Sequence, residues 1–226
     1  MATHLDLEEQ EQLDQLKSFW KQYGNLITWM LIAVLGAYAA WNGWHWWQRD
    51  QAVKAGAMYD ELDRAAQAGD ADKAGRIFAD MKERFPRTAF TAQGALLAAR
   101  TQFEKGQIDN ARATLTWVAE NAGETEMQSI ARLRLAGVML DEKKYDEALK
   151  QLDGATAKEF EALAADRRGD ILLAQGKKDE AKAAYTRAWQ AMDARVEYRR
   201  LIDAKLTALG AAPTATVPAA SAAAGQ

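Results

Sequence analysis

The segment Gln175-Gly176-Lys177-Lys178-Asp179-Glu180-Ala181 decides the fold, because three other versions of it occur upstream. They read Ala68-Gly69-Asp70-Ala71-Asp72-Lys73-Ala74, Lys105-Gly106-Gln107-Ile108-Asp109-Asn110-Ala111 and Glu142-Lys143-Lys144-Tyr145-Asp146-Glu147-Ala148. Each follows one apolar helical pattern and starts another. The closing alanines are 37, 37 and 33 residues apart. A recurring turn between helices at such a spacing marks a stack of helical hairpins.

The period lies near the roughly 34 residues of tetratricopeptide (TPR) units. Gly69, Gly106 and Gly176 can take the left-handed conformation that ends a first helix, and Lys143 replaces glycine at some conformational cost. Asp then opens the second helix, where a carboxylate caps free N–H groups and meets the positive end of the dipole. Ala74, Ala111, Ala148 and Ala181 fall where paired helices approach closely, opposite the small residues Ala99, Ala136 and Gly169. Phe78, Leu115, Leu152 and Tyr185 supply bulk, and Pro86 ends the first unit. Residues 195–209, with Val196, Leu201, Ile202, Leu206 and Leu209, are expected to cover the last hairpin. From Gly210 the Ala, Pro, Thr and Ser composition offers little large apolar surface, which predicts a disordered tail over 210–226. The fold class is all-α, with the diverged TPR-like domain over 49–209.

Upstream of the repeats, no charged side chain lies between Lys21 and Arg49. Residues 26–47 form an apolar run, and about 20 such residues in a helix cross a bilayer core. We assign a single transmembrane helix to 24–48. Trp41, Trp44, Trp46, Trp47 and His45 gather at one end, with Trp20 and Tyr23 near the other, as amphipathic rings do at membrane interfaces. A haem or quinone site on His45 is the poorer reading of that cluster. Ala33, Gly36, Ala37, Ala40 and Gly43 form small-residue rows on which another span could pack. Residues 1–23 carry an acidic start and then Leu13, Leu16, Phe19, Trp20 and Tyr23 at helical spacing. They predict either a short surface helix leading into the span through Gly24 or a frayed terminus with only its last turns ordered. Ala37-Tyr38-Ala39 resembles a cleavage site, but the segment before it is long and net acidic, so an uncleaved anchor is expected. Lys17 and Lys21 on one side, against Arg49, Lys54 and Arg64 on the other, leave the orientation open.

The chain has 226 residues, a net charge of −3, no Cys and two His, at positions 4 and 45. No clustered basic face suggests nucleic acid. Thiolate chemistry and disulfides are excluded. His-Glu-x-x-His, phosphate-cradling glycine loops and Gly-x-Ser-x-Gly are all missing. Asp166 and Asp170 share a helix face and could form an acid/base pair, but adjacent Arg167 and Arg168 favour a solvated mixed-charge face. Catalysis, cofactors and metals are not expected. Binding is: first helices of a hairpin stack present side chains to peptide or protein. The alanine register puts Leu96, Arg100 and Phe103, then Leu133 and Leu140, then Asp166, Asp170 and Leu173 in such a groove.

The chain also resembles the YfgM-type family, ancillary subunits of the bacterial Sec translocon. The resemblance rests on Gln15-Leu16-Lys17-Ser18-Phe19, Tyr23-Gly24, the Leu35-Gly36 to Gly43-Trp44 pattern and Leu133-Arg134-Leu135-Ala136. It rests above all on Ala165-Asp166-Arg167-Arg168-Gly169-Asp170 followed by Gly176-Lys177. It covers nearly everything up to Leu209. It implies a single-pass protein of the Gram-negative inner membrane, with a short cytoplasmic head and a periplasmic repeat domain. It further implies association with the SecYEG channel and the membrane-anchored chaperone PpiD, assisting translocating polypeptides, without catalytic residues. A scaffold for envelope or division machinery, on the same anchor and groove, is the other function expected of this architecture.

Overall fold

A computed structural model describes residues 7–155 and 157–212. The first six residues, with His4, and the tail from 213 onward lie outside the described residues, so the expected disorder of the tail does too. Among the described residues there is no strand. The chain divides into two compact units between residues 51 and 52.

The first unit is helical from Leu7 to its end, within helix α1 (Leu7–Gln67). The helix runs through Gly24 without a break, so residues 7–23 and the apolar run after them are one continuous helix. A lone glycine in a helix costs only about 1 kcal/mol, and the Trp20 indole lies over this one, 3.2 Å from where a Cβ would stand. One 18-residue window of α1 has mean hydropathy 1.4 and only 6% of it is buried, which makes α1 a candidate membrane span. Its polar side chains close onto its own backbone: Thr28 Oγ1 donates to the Gly24 carbonyl at 2.7 Å and Asn42 Nδ2 to that of Tyr38 at 3.0 Å. Such internal satisfaction is what a solvent without hydrogen-bonding groups demands. At the Trp-rich end, Trp41 meets His45 edge-on at 4.7 Å and Trp44 meets Trp47 at 5.2 Å.

The second unit begins with the last part of α1, residues 52–67, which pairs with α2 (Ala71–Arg84). There follow α3 (Ala89–Glu104) with α4 (Ile108–Asn121), α5 (Thr125–Asp141) with α6 (Tyr145–Asp153), and α7 (Glu161–Ala174) with α8 (Lys178–Ala191). Helix α9 (Tyr198–Ala208) closes the stack. Second helices pack on the next first helices, and α5 packs on both α3 and α7.

Every hairpin turn has the same hydrogen-bond pattern. Gly69, Gly106, Lys143 and Gly176 all have φ between 60° and 80°. In each case the amide of that residue bonds three residues back and the next amide five residues back, as in Asp70 N to Ala65 O and Lys177 N to Leu172 O, both 2.9 Å. This is the Schellman closure, which satisfies the orphan carbonyls of a helix end. Lys143 adopts it at φ 60° despite its Cβ, a conformation that costs a non-glycine residue about 1–2 kcal/mol. The expected aspartate caps are narrower than the pattern suggests. Asp70 does accept from Lys73 N at 2.9 Å. Asp109, Asp146 and Asp179 instead lie inside the first turn, where their charge faces the helix dipole without a capping bond.

Ala74, Ala111, Ala148 and Ala181 are all 0% exposed. Ala99 and Ala136 are buried with them, and Gly169 is replaced by nothing larger because the Tyr185 ring occupies the space. The core runs along the stack in consecutive clusters centred on Leu62, Met81 and Val118, then Met139 and Leu152, then Tyr185, Ile202 and Leu206. Polar bridges at the turn end join successive units: Gln107 Nε2 donates to Asp72 Oδ1 at 2.7 Å, and Arg112 pairs with Glu142. The short last period has a local cause. Helix α6 stops at Asp153, and the following chain is pinned where buried Ser129 Oγ accepts from Ala157 N at 3.1 Å, ahead of a single 3-10 turn (Lys158–Phe160).

Helix α9 is itself a fifth first helix. It ends with Gly210 at φ 72°, with Gly210 N bonded to Thr207 O and Ala211 N to Leu206 O, both 2.9 Å. That glycine lies 34 residues after Gly176. The ordered repeat domain therefore reaches past Leu209 to Ala211, which packs on the last core cluster.

Candidate protein-binding cleft

First helices α3, α5 and α7 enclose a cleft of about 420 Å³. Its apolar lining comes from Ala99, Phe103, Leu115, Leu133 and Val138, and its polar lining from Arg100, Arg134, Arg167 and Asp141. Gly137 of α5 lines the cleft between Arg134 and Asp141, and a Cβ there would stand in ordinary contact with the Arg167 guanidinium at 3.9 Å.

The three arginines differ in how they are held. Arg100 Nε donates to Glu104 at 2.7 Å, one helical turn on. Arg167 stands 3.7 Å from Asp170 Oδ2. Arg134 reaches across to α3 and donates to the Leu96 carbonyl at 3.0 Å. Among the described residues it has no carboxylate partner. Burial, and after it the neighbouring Arg100 charge, pull its guanidinium below the usual arginine value.

Of the residues the sequence assigns to a groove, the cleft brings together Arg100, Phe103 and Leu133. Phe103 is 41% exposed. Leu96 is buried in the core beneath, Leu140 packs on the α5–α6 core cluster, and Leu173 is exposed outside the cleft.

Asp166 and Asp170 lie at the same repeat offsets but face α9. Asp166 is 2% exposed. Lys205 Nζ donates to both its carboxylate oxygens, at 2.8 and 2.9 Å, and to Asp170 Oδ1 at 2.7 Å. Tyr198 Oη donates to Asp166 at 2.8 Å and Tyr185 Oη to Asp170 at 2.7 Å. Burial first, then the bond to Asp166, pushes the Tyr198 hydroxyl up to about 12, and burial with the Asp170 bond raises Tyr185 further. Both carboxylates thus fasten the closing helix.

The sequence reading missed Arg134 and Arg167 as lining residues. They share one repeat offset, directly after Leu133 and Asp166, and the 33-residue step between them could have found them. The small-residue rows of the first unit stand free in the structure. Ala33, Gly36, Ala37, Ala40 and Gly43 are all exposed, and a Cβ on Gly36 or Gly43 would meet nothing within 4 Å.

Comparison with known proteins agrees with this architecture. The sequence profile of the family described as "Tetratricopeptide repeat-like domain" matches residues 17–211. A Neisseria gonorrhoeae protein named "Ancillary SecYEG translocon subunit" is 32% identical over 210 residues, covering 92% of this chain and 100% of the relative. Proteins of the same name from Haemophilus influenzae and Escherichia coli are 30% and 28% identical, over 81% and 78% of this chain and 90% and 85% of theirs. With its turns, its paired small positions and a match over most of its length, the chain belongs to the YfgM-type family of tetratricopeptide repeat-like proteins.

Proposed function

We propose that this protein is a non-enzymatic adaptor of the Sec translocon, held at the bacterial inner membrane by a single span. The observation that carries the reading is the likeness, over the full length of the Neisseria relative, to a protein named as an ancillary SecYEG translocon subunit. A candidate span and a hairpin stack with an open cleft support it, because both suit a protein that holds a binding surface next to a membrane channel. The functional parts are a cytoplasmic head over 1–23, the span over 24–48, a periplasmic repeat domain over 49–209 and the tail over 210–226. The row Ala33, Gly36, Ala37, Ala40 and Gly43 packs against a channel helix, since small residues let two backbones approach. The repeat domain engages the chaperone PpiD and polypeptides emerging from the channel, through Arg100, Phe103 and Leu133.

Co-purification in a mild detergent tests the central claim. Channel subunits should be recovered with the tagged full-length protein; their absence under conditions that keep the channel intact refutes it. A reporter active only in the periplasm, fused after Leu209, should be active. Silence from a well-expressed fusion reverses the topology.

A further inference from the structure

We infer that the cleft between α3, α5 and α7 receives an extended polypeptide segment in which an acidic side chain neighbours a large apolar one. The inference rests on the adaptor reading for its setting, and its own support is the chemistry of the cleft. Arg134 is the cation there that no carboxylate of the described chain neutralises. Its neighbour Arg100 is a like charge, which makes the position more favourable still for an anion between them. Arg100 and Arg167 are satisfied only weakly or locally: one by a carboxylate a turn away on its own exposed face, the other by Asp170 at 3.7 Å, whose second oxygen is already claimed by Lys205 and Tyr185.

A guanidinium presents a planar fork that matches a carboxylate with two parallel bonds. A ligand carboxylate at Arg134 would therefore find both charge and geometry. Immediately beside it, Ala99, Leu115, Val138, Leu133 and the exposed face of Phe103 form a floor of apolar surface with room for a bulky side chain. At the other end, Asp141 follows Arg134 by seven residues of α5, about 10 Å along a helix. A basic segment would be repelled by Arg134, and a purely apolar one would leave that guanidinium with the Leu96 carbonyl as its one hydrogen-bond partner and no counter-charge. An acidic side chain beside an apolar one satisfies both halves. A second copy of this chain is the competing occupant.

Full-length protein in nanodiscs of neutral lipid provides the test, with empty nanodiscs as the blank. The probe is a short fluorescein-labelled peptide, blocked at both ends, with the central sequence Asp-Glu-Leu-Phe. Matched peptides carry Asn-Gln-Leu-Phe, Lys-Lys-Leu-Phe or Asp-Glu-Ala-Ala, and one more bears a free C-terminal carboxylate in place of the acidic side chains. The acidic apolar peptide should bind, and each of the first three changes should weaken it by about tenfold or more, the loss typical of removing a charge-assisted partner in the first two and of unburying large apolar side chains in the third. The free-carboxylate peptide should also bind more weakly, so equal or tighter binding of it would move the site from internal acidic segments to chain ends and overturn the proposal. Arg134→Gln and Phe103→Ala should each weaken the parent peptide, while Arg134→Lys restores only part of the loss. Equal binding of acidic and basic peptides, or unchanged affinity in Arg134→Gln, overturns it. So does self-association abolished by Arg134→Gln, which would assign the cleft to a second copy. The peptide swaps need no variant, so a misfolded mutant cannot protect the idea. Channel co-purification with Arg134→Gln separates the two levels: retained channel subunits with lost peptide binding support this cleft, and lost channel subunits in the wild type sink the adaptor reading instead.

Discussion

Replacing Lys205 by Met should loosen the closing helix. The methionine keeps most of the stem's volume but removes an ammonium that touches both oxygens of Asp166 and one of Asp170 at 2.7–2.9 Å. The Asp166 side chain is only 3% exposed, so its charge is left with Tyr198 alone. Breaking a buried ion pair by removing one partner costs about 3–5 kcal/mol. The Lys205 side chain is 23% exposed, and water can replace part of its role, which brings the expected loss to about 2–3 kcal/mol. For a domain of this size that is a fall in Tm of roughly 5–10 °C. Hydrogen exchange on the full-length protein in detergent should show α9 amides losing protection while α3 and α4 keep theirs. Position 166 corresponds to Leu96 and Leu133 in earlier units, so Asp166→Leu combined with Lys205→Met should regain most of the loss, because an apolar pair often replaces a buried ionic one without cost. A Lys205→Met protein within about 0.5 kcal/mol of wild type, or a double variant no more stable than the single one, would refute the account.

Three further outcomes follow from individual geometries. Lys143→Gly should stabilise the protein by about 0.5–1 kcal/mol, the left-handed penalty less the extra chain entropy of glycine, and a lowered Tm would contradict it. Gly169→Ala would place a Cβ 2.4 Å from Tyr185 Cε1, so the ring must move and its bond to Asp170 must lengthen; urea unfolding should register a loss of about 1–3 kcal/mol. The raised hydroxyls give a high-pH signature. Tyr198, pushed up to about 12 in the folded state, adds stability that is complete below its unfolded value near 10 and is lost as pH rises through 12. Melting temperature should drop over that window, the drop should flatten in Tyr198→Phe, and tyrosinate absorbance rising fully near pH 10 in the native protein would be the contrary result.

What the sequence reveals of this fold is what is periodic. The turns are legible because a left-handed residue is required at each, and only glycine meets that need without penalty, so the lone lysine at 143 still reads by its place in the series. The alanine positions are legible because interhelical distance limits volume. Arg134 and Arg167 go unseen for the opposite reason: a repeat defines where a side chain sits, while cleft lining depends on which neighbours surround it, here Phe103, Leu115 and Val138. Asp166 is misdirected by its own register. It occupies the groove offset, yet its partners come from α9, whose Tyr198 and Lys205 follow no repeat pattern. Gly24 shows the limit of reading single residues: a residue that ends helices elsewhere in the chain is simply carried through one here.

The change from leucine to aspartate at the last step of the stack also bears on where the closing helix can dock. Four similar hairpins offer a folding chain several docking sites of nearly the same shape, and repeat proteins misassemble by pairing the wrong neighbours. Helix α9 carries an ammonium at Lys205 that is answered only where Asp166 and Asp170 wait for it. Seated one hairpin early, it would press that charge against Leu133; two early, against Leu96. This buried ionic junction therefore favours the seat of α9 on α7 over the two earlier ones, where its lysine would find no carboxylate at the same offset.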